Sequence, residues 1–257
     1  MLYQIKQYIK FLKTATNQHG VHSPFVYELV TRCFYNKTYR KAYDILKTFR
    51  KELYTNTETI TITDFGSGSR VFKSNQRKIS QIAKTSGITS KRAKLLYRIA
   101  QYLGAKKILE LGTSLGLGTS ALSLADKNAN ITTIEGCPEI GKIAQQQFHK
   151  FQLNNIDLKT DTFKNTLPQL VSNTYDLIYI DGHHDKEATI NYFETLLPTT
   201  NNNTVFIFDD IHWSKGMTEA WEIIKAHPKV TISIDTFFWG IICFRKEQAK
   251  EHFTIRV

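Results

Sequence analysis

Long apolar runs are missing from this sequence. No stretch of its 257 residues approaches the ~20 successive apolar residues that a membrane-spanning helix requires. The opening MLYQIKQYIKFLK interrupts its apolar positions with lysines and so does not read as a secretory leader. Cysteine is scarce as well. Cys33, Cys137 and Cys243 show neither paired nor Cys-x-x-Cys spacing. That argues against a disulfide scaffold or a zinc site and leads us to expect a soluble, cytoplasmic protein. Repeats and low-complexity tracts are also missing. Apolar residues still make up 41 % of the chain, enough for a sizeable core.

Acidic residues are few in the first part of the chain. Residues 1–107 hold 21 Lys/Arg against 5 Asp/Glu, a balance of +16, whereas residues 108–257 carry −5. Such asymmetry marks parts with different tasks. The basic part suits a nucleic acid, an anionic lipid surface or a negatively charged small substrate. A solvated lysine-rich surface explains the same counts.

The first ~55 residues read as helices. Leu2, Ile5, Ile9 and Leu12 recur on one face. Ser23-Pro24 offers a cap and a first-turn proline, and a further helix is expected over 40–53. Ser74 is expected to cap a helix running to Gly87, and another spans 90–104. From Lys106 onward, β-prone runs alternate with helical ones. The strands are KILELG, NITTIEG, IDLKTD, YDLIYID and NTVFIFDD. The helices are 118–127, 138–152, 164–172, 186–197 and 214–227. This is a βαβ series with a parallel sheet. VTISIDTFF and GIICFR close it as an antiparallel hairpin.

Two segments look like cofactor loops: TITITDFGSGSRVF at 59–72 and KKILELGTSLGLGTSALSLA at 106–125. A nucleotide-type cofactor asks for a strand before the loop, a helix after it, and an acidic residue ending the next strand. The second segment meets all three demands. Glu110 heads it, Gly112, Gly116 and Gly118 follow, and Glu135 ends ITTIEG. The first segment is followed instead by Arg70, Lys73, Arg77 and Lys78. It reads either as a turn, or as a flap whose cations reach an anionic substrate.

With these residues in view, 90–257 resembles the class I S-adenosylmethionine (SAM)-dependent methyltransferases. Within them it is similar to the catechol and caffeoyl-CoA O-methyltransferase group and related bacterial small-molecule O-methyltransferases. The resemblance rests on ILELGTSLGLGTSALSLA, TTIEGCPE, YDLIYIDGHH and VFIFDDIHW. It implies a Rossmann-like α/β domain over 90–257, preceded by a helical extension at 1–58 and a flap with its connecting helix at 59–89. It also implies residue roles. Glu110, Gly112, Thr113, Ser114, Gly116 and Thr119 would hold the methionine part of SAM. Glu135 with Gly136 would take the ribose, Asp161, Thr162 and Phe163 the adenine, and Asp181 the neighbourhood of the sulfonium. In metal-dependent members Asp181 would join Asp209 and Asp210 around Mg²⁺, Mn²⁺ or Ca²⁺.

The chemistry of these residue types agrees. Carboxylates at neighbouring strand ends repel one another unless a cation lies among them, and all-oxygen donors suit those hard ions. Alternatively, Asp181 contacts SAM alone, while Asp209 and Asp210 cap a helix or orient a base. His183, two residues beyond Asp181, is the candidate general base, and His184 would orient Asp209 or Asp210. The expected activity is methyl transfer to a hydroxyl of a small, anionic acceptor, with catalysis carried by Asp181, His183 and Asp209. A nucleic-acid methyltransferase is less favoured, because DGHH stands where base-modifying enzymes place Pro-Pro. A non-catalytic SAM-binding protein and a homodimer stay open.

Overall fold

The computed structural model describes residues 2–63 and 74–257. The chain is an α/β protein with mostly parallel strands. It packs as two compact units, one being Lys37–Gln169 and the other Met1–Asn36 together with Leu170–Val257.

Helix α1 (Leu2–Thr14) forms where its periodicity predicts, but its apolar face is turned outward. Leu2, Ile5, Ile9 and Leu12 are 85, 52, 50 and 37 % exposed. Phe11 is the buried residue. Its ring and that of Tyr8 meet Phe237 at 5.6 and 4.7 Å. Ser23 then caps α2 (Pro24–Glu28) by accepting the Val26 amide. A π-helical turn, Leu29–Phe34, continues it. This segment is tied to the far end of the sequence. Thr16 N–H donates to the Thr254 carbonyl (2.8 Å), Arg256 N–H to the Thr16 carbonyl (3.1 Å), and the Tyr35 hydroxyl to the Arg256 carbonyl (2.7 Å).

The Lys37–Gln169 unit starts with α3 (Ala42–Thr55). Next comes an antiparallel ribbon of β1 (Thr59–Thr61) and β2 (Gln76–Lys78). The ribbon corrects the expected helix from Ser74, because residues 76–78 are extended and α4 spans only Ile79–Thr85. Alternation explains it. Arg77 is buried between exposed Gln76 and Lys78, a period of two. Helix α5 (Ser90–Leu103) is capped by Thr89 and closed by Gly104 in the left-handed region. Then β3 (Lys107–Leu111), α6 (Leu117–Ala125), β4 (Asn130–Glu135), α7 (Pro138–Lys150) and β5 (Ile156–Thr160) alternate. The three strands pair in parallel, with β4 in the middle. The last expected helix of this unit is shorter than 164–172. Helix α8 covers Phe163–Thr166 and yields to a 3₁₀ turn, Leu167–Gln169, where Pro168 has no amide hydrogen to continue the ladder.

The remaining segment carries β6 (Leu177–Ile180), α9 (Lys186–Leu196), β7 (Val205–Asp209), α10 (Lys215–Ala226), β8 (Ile232–Asp235) and β9 (Trp239–Cys243). Strands β6 and β7 are parallel, β8 and β9 form the antiparallel hairpin that the sequence predicts, and β9 also runs antiparallel to β7. Gly240 in β9 has no alternative, since an added Cβ would lie 2.5 Å from the Trp221 ring. A strand that the sequence did not announce, β10 (Glu251–Thr254), pairs in parallel with β8. Among the described residues, no helix is long and apolar enough to cross a membrane.

Candidate active site

The glycine loop lies in the Lys37–Gln169 unit, between β3 and α6. Gly112 (φ 105°), Ser114 (φ 48°) and Gly116 (φ 81°) all take the left-handed region, and for Ser114 this stores strain. Gly116 is also fixed by packing, as a Cβ there would meet Phe148 at 2.4 Å. The loop is held from below and from the side. The amides of Gly112 and Thr113 donate to the Ile134 carbonyl (3.0 and 3.2 Å). Glu135 accepts Ser114 N–H on one carboxylate oxygen (2.8 Å) and Cys137 N–H on the other (3.0 Å). Glu135 thus shapes the loop as well as standing at the end of β4.

Glu110 is buried. Its Oε2 accepts hydroxyl hydrogens from Thr119 and from Thr133 (2.6 Å), while its Oε1 is buried without a hydrogen-bond partner. Burial pushes its pKa up to about 7, against the two threonine hydrogen bonds, with the Glu135 charge adding to the rise. After β5, Asp161 accepts the Thr162 amide (2.6 Å) and the Asn165 side-chain amide (2.9 Å). Thr162 caps α8, and half-buried Phe163 opens it. Gly136 lies between Glu135 and Cys137, half-buried.

A second cluster lies in the other unit, at the carboxyl ends of β6 and β7. Ligand atoms of Asp181, His184 and Asp209 lie within 4.8 Å of one another. His184 Nε2 is 3.7 Å from Asp181 Oδ1, and Tyr179 donates its phenolic hydrogen to Asp181 Oδ2 at 2.8 Å. Burial pushes Asp181 well above the usual carboxylate range. The charge and hydrogen bond of Asp209 add to this, Tyr179 opposes it, and the charge of Asp210 adds least. Asp210 is not in the gathered group, whose third member is His184. The backbone around the cluster is unusual, with His183, His184 and Asp210 all at positive φ (71°, 41° and 52°). Non-glycine residues in this region concentrate at functional sites.

His183 Nδ1 lies 2.8 Å from the Tyr192 hydroxyl. Burial, then the Asp185 charge, pushes that phenol up to about 12, so it stays neutral and can accept from His183. Buried His212 bridges Asp235 (2.9 Å) and Thr218 (3.1 Å), which joins the loop after β7 to the end of β8. Sequence reasoning missed the roles of Tyr179 and Tyr192. Tyr179 was within reach, since residues i and i+2 of a strand share a face.

Of the basic flap, Asp64, Gly66, Gly68, Arg70 and Lys73 lie outside the described residues. Arg77 is 8 % exposed and donates from Nε to the Ser74 carbonyl (3.3 Å), so it is no solvent-facing cation. Lys78 is exposed.

Known proteins are similar to this chain in part of its sequence and in its fold. Residues 109–211 match the model of a family described as a methyltransferase domain. A catechol O-methyltransferase of Niastella koreensis is 31 % identical over 129 residues, covering 48 % of this chain and 58 % of that one. The chain spans little more than half the length of the curated relatives it matches. An O-methyltransferase from Bacillus cereus, solved in complex with SAH, superposes with a TM-score of 0.57 at 19 % identity, covering 82 % of this chain and 94 % of that one. The O-methyltransferase TomG from Streptomyces achromogenes, involved in tomaymycin synthesis and solved with SAM, gives 0.58 at 15 % identity over 90 % and 99 % of the two chains. The fold is shared with these solved O-methyltransferases. In sequence, residues 109–211 are similar to a methyltransferase domain, and about half of the chain is related to catechol O-methyltransferases.

Proposed function

We propose that the chain transfers a methyl group from SAM to a hydroxyl of a small, negatively charged acceptor, assisted by a divalent cation. The observation that carries this reading is the gathering of Asp181, His184 and Asp209 at two strand ends.

Cofactor binding is assigned to the loop between β3 and α6 and to the ends of β4 and β5. Glu110, Gly112, Thr113, Ser114, Gly116 and Thr119 take the methionine part, Glu135 and Gly136 the ribose, and Asp161, Thr162 and Phe163 the adenine. The unpartnered Oε1 of Glu110 supports this, because a buried acceptor left open by the protein suits a donor group on a ligand. SAM supplies an electrophilic methyl group on its sulfonium.

The donor set also fits a cation. Burial, with the charges of Asp209 and Asp210 adding to it, raises the Asp181 pKa, and a positive charge among the carboxylates would favour the ionised form. The imidazole in the set suits Mn²⁺ better than Ca²⁺. Such an ion favours the ionised form of an acceptor hydroxyl. His183 takes the hydroxyl proton on Nε2 when Nδ1–H donates to Tyr192, and Asp181 and Asp209 orient the acceptor. The remaining task of the protein is alignment of oxygen, methyl and sulfur.

The charge of the acceptor is read from the +16 balance of residues 1–107, which includes exposed Lys78. The test is transfer of labelled methyl from SAM to paired neutral and anionic hydroxyl compounds. The anionic member of each pair should show the lower KM, and Lys78→Glu should raise that KM more than it lowers kcat. SAM binding with no transfer to any hydroxyl would remove the activity. Equal KM within pairs would remove the anionic acceptor alone.

A further inference from the structure

Helix α1 carries an apolar face that the fold leaves uncovered. At 100° per residue its side chains sort into three arcs. Tyr3, Gln4, Gln7 and Phe11 form the inner arc, each buried or half-buried. Tyr8, Leu12, Ile5, Ile9 and Leu2 form the second, between 37 and 85 % exposed. Lys13, Lys6 and Lys10 form the third, directly beside the apolar arc and exposed. The helix contains no acidic residue.

The patch extends beyond the helix. Tyr8 packs edge-on against Phe237 at 4.7 Å, and Phe237 in turn meets Phe238 at 5.0 Å. Phe238, on the turn between β8 and β9, is 47 % exposed. Six large apolar side chains thus lie together on one side, bordered by three lysines.

We propose that this face docks on an anionic lipid surface, with α1 lying in the plane of the headgroups. The arrangement of the arcs selects this occupant. An interfacial helix needs apolar side chains that enter the acyl boundary and lysines that remain at phosphate level beside them. The long lysine stems reach outward along the same border. A second copy of the chain is a poorer fit. Pairing two such helices through this face would bring two lysine arcs together, with no carboxylate on either helix to neutralise them. The aromatic packing that holds the helix is made by Phe11 and Tyr8 on Phe237, so the exposed Ile5 and Ile9 can be changed without removing it. This proposal is independent of the methyl-transfer reading.

Co-sedimentation of the full chain with vesicles tests it. Vesicles of phosphatidylcholine containing phosphatidylglycerol should carry the protein down, pure phosphatidylcholine vesicles should not, and added salt should release it. Ile5→Glu with Ile9→Glu should lower the bound fraction by at least about tenfold, with the thermal midpoint and SAM affinity unchanged. Lys6→Ala with Lys10→Ala should weaken binding to the anionic vesicles. The proposal fails if anionic vesicles bind no protein, or if binding is indifferent to Ile5→Glu with Ile9→Glu. It fails equally if sedimentation velocity shows a dimer that this double variant dissolves, for then a second copy covers the face.

Discussion

Glu135 reaches across from the end of β4 to hold the backbone amide of Ser114 at 2.8 Å, and Ser114 sits at a strained φ of 48°. The carboxylate therefore has two tasks, one toward the loop and one assigned toward the ribose. Glu135→Ala should weaken SAM binding by about 1.5–3 kcal/mol or more, since charged hydrogen bonds are lost on both counts. Glu135→Gln should fall between, because the amide oxygen can still accept one backbone N–H. Calorimetry on the two variants checks the order. Equal affinities for wild type and Glu135→Ala would remove the ribose assignment.

Glu110 makes the ligand-free protein sensitive to pH. Its folded pKa, about 7, lies above the ordinary carboxylate value because the side chain is buried. A raised carboxylate pKa means that the folded state binds the proton more tightly than the unfolded chain does. Stability should then be highest below about pH 4.5 with respect to this group, and fall as pH rises toward 7. The loss is on the order of 3 kcal/mol. Denaturant titrations at both ends of that window, on wild type and Glu110→Gln, measure it. The variant should lack this component, and an identical pH slope in both would disprove the origin.

The carboxylate cluster predicts a metal response. Mn²⁺ should stabilise the fold, and so raise the thermal midpoint, with the logarithm of its concentration above Kd, by about 2.7 kcal/mol at a hundredfold excess, and Ca²⁺ should do so less. Asp209→Asn should abolish the shift. His184→Ala should reduce it, whereas Asp210→Asn should leave most of it. Excess chelator should stop turnover while SAM still binds. Turnover that persists in chelator would leave a base mechanism without metal.

His183 and Tyr192 form the third measurable pair. As the proposed general base, His183 should cost about 100-fold or more in kcat when changed to alanine. Tyr192→Phe removes only the acceptor that orients the ring, so its loss should be smaller, about tenfold, with KM for SAM unchanged. If His183→Ala retains full kcat, the proton leaves by another route.

The βα register was legible because buried parallel strands read as unbroken apolar runs. Val205–Asp209 is buried along its whole length, and the sequence there is simply VFIFD. Periodicity in α1 was read correctly as a helix, yet it reports only that one face is apolar, not that the core receives it. Strand β10 was illegible for the opposite reason, since Glu251, His252 and Thr254 give an edge strand no hydrophobic signature. At the site, the acidic positions could be found from strand ends. The place of His184 beside Asp181 and Asp209 could not. It depends on three non-glycine residues adopting positive φ, which composition does not announce.

The tie between Thr16 and the strand that ends at Thr254 also sets an order of events on the ribosome. Residues 37–169 form a compact unit of their own and have all emerged before the partners of the Thr16 segment are made. The segment up to Asn36 belongs with residues 170–257. It must therefore wait while more than two hundred further residues are made, on the order of ten seconds at ordinary synthesis rates. During that interval both faces of α1 are open. Chaperone capture is expected to concentrate on this segment, and premature termination near residue 250 should leave Thr16 without its partners Thr254 and Arg256.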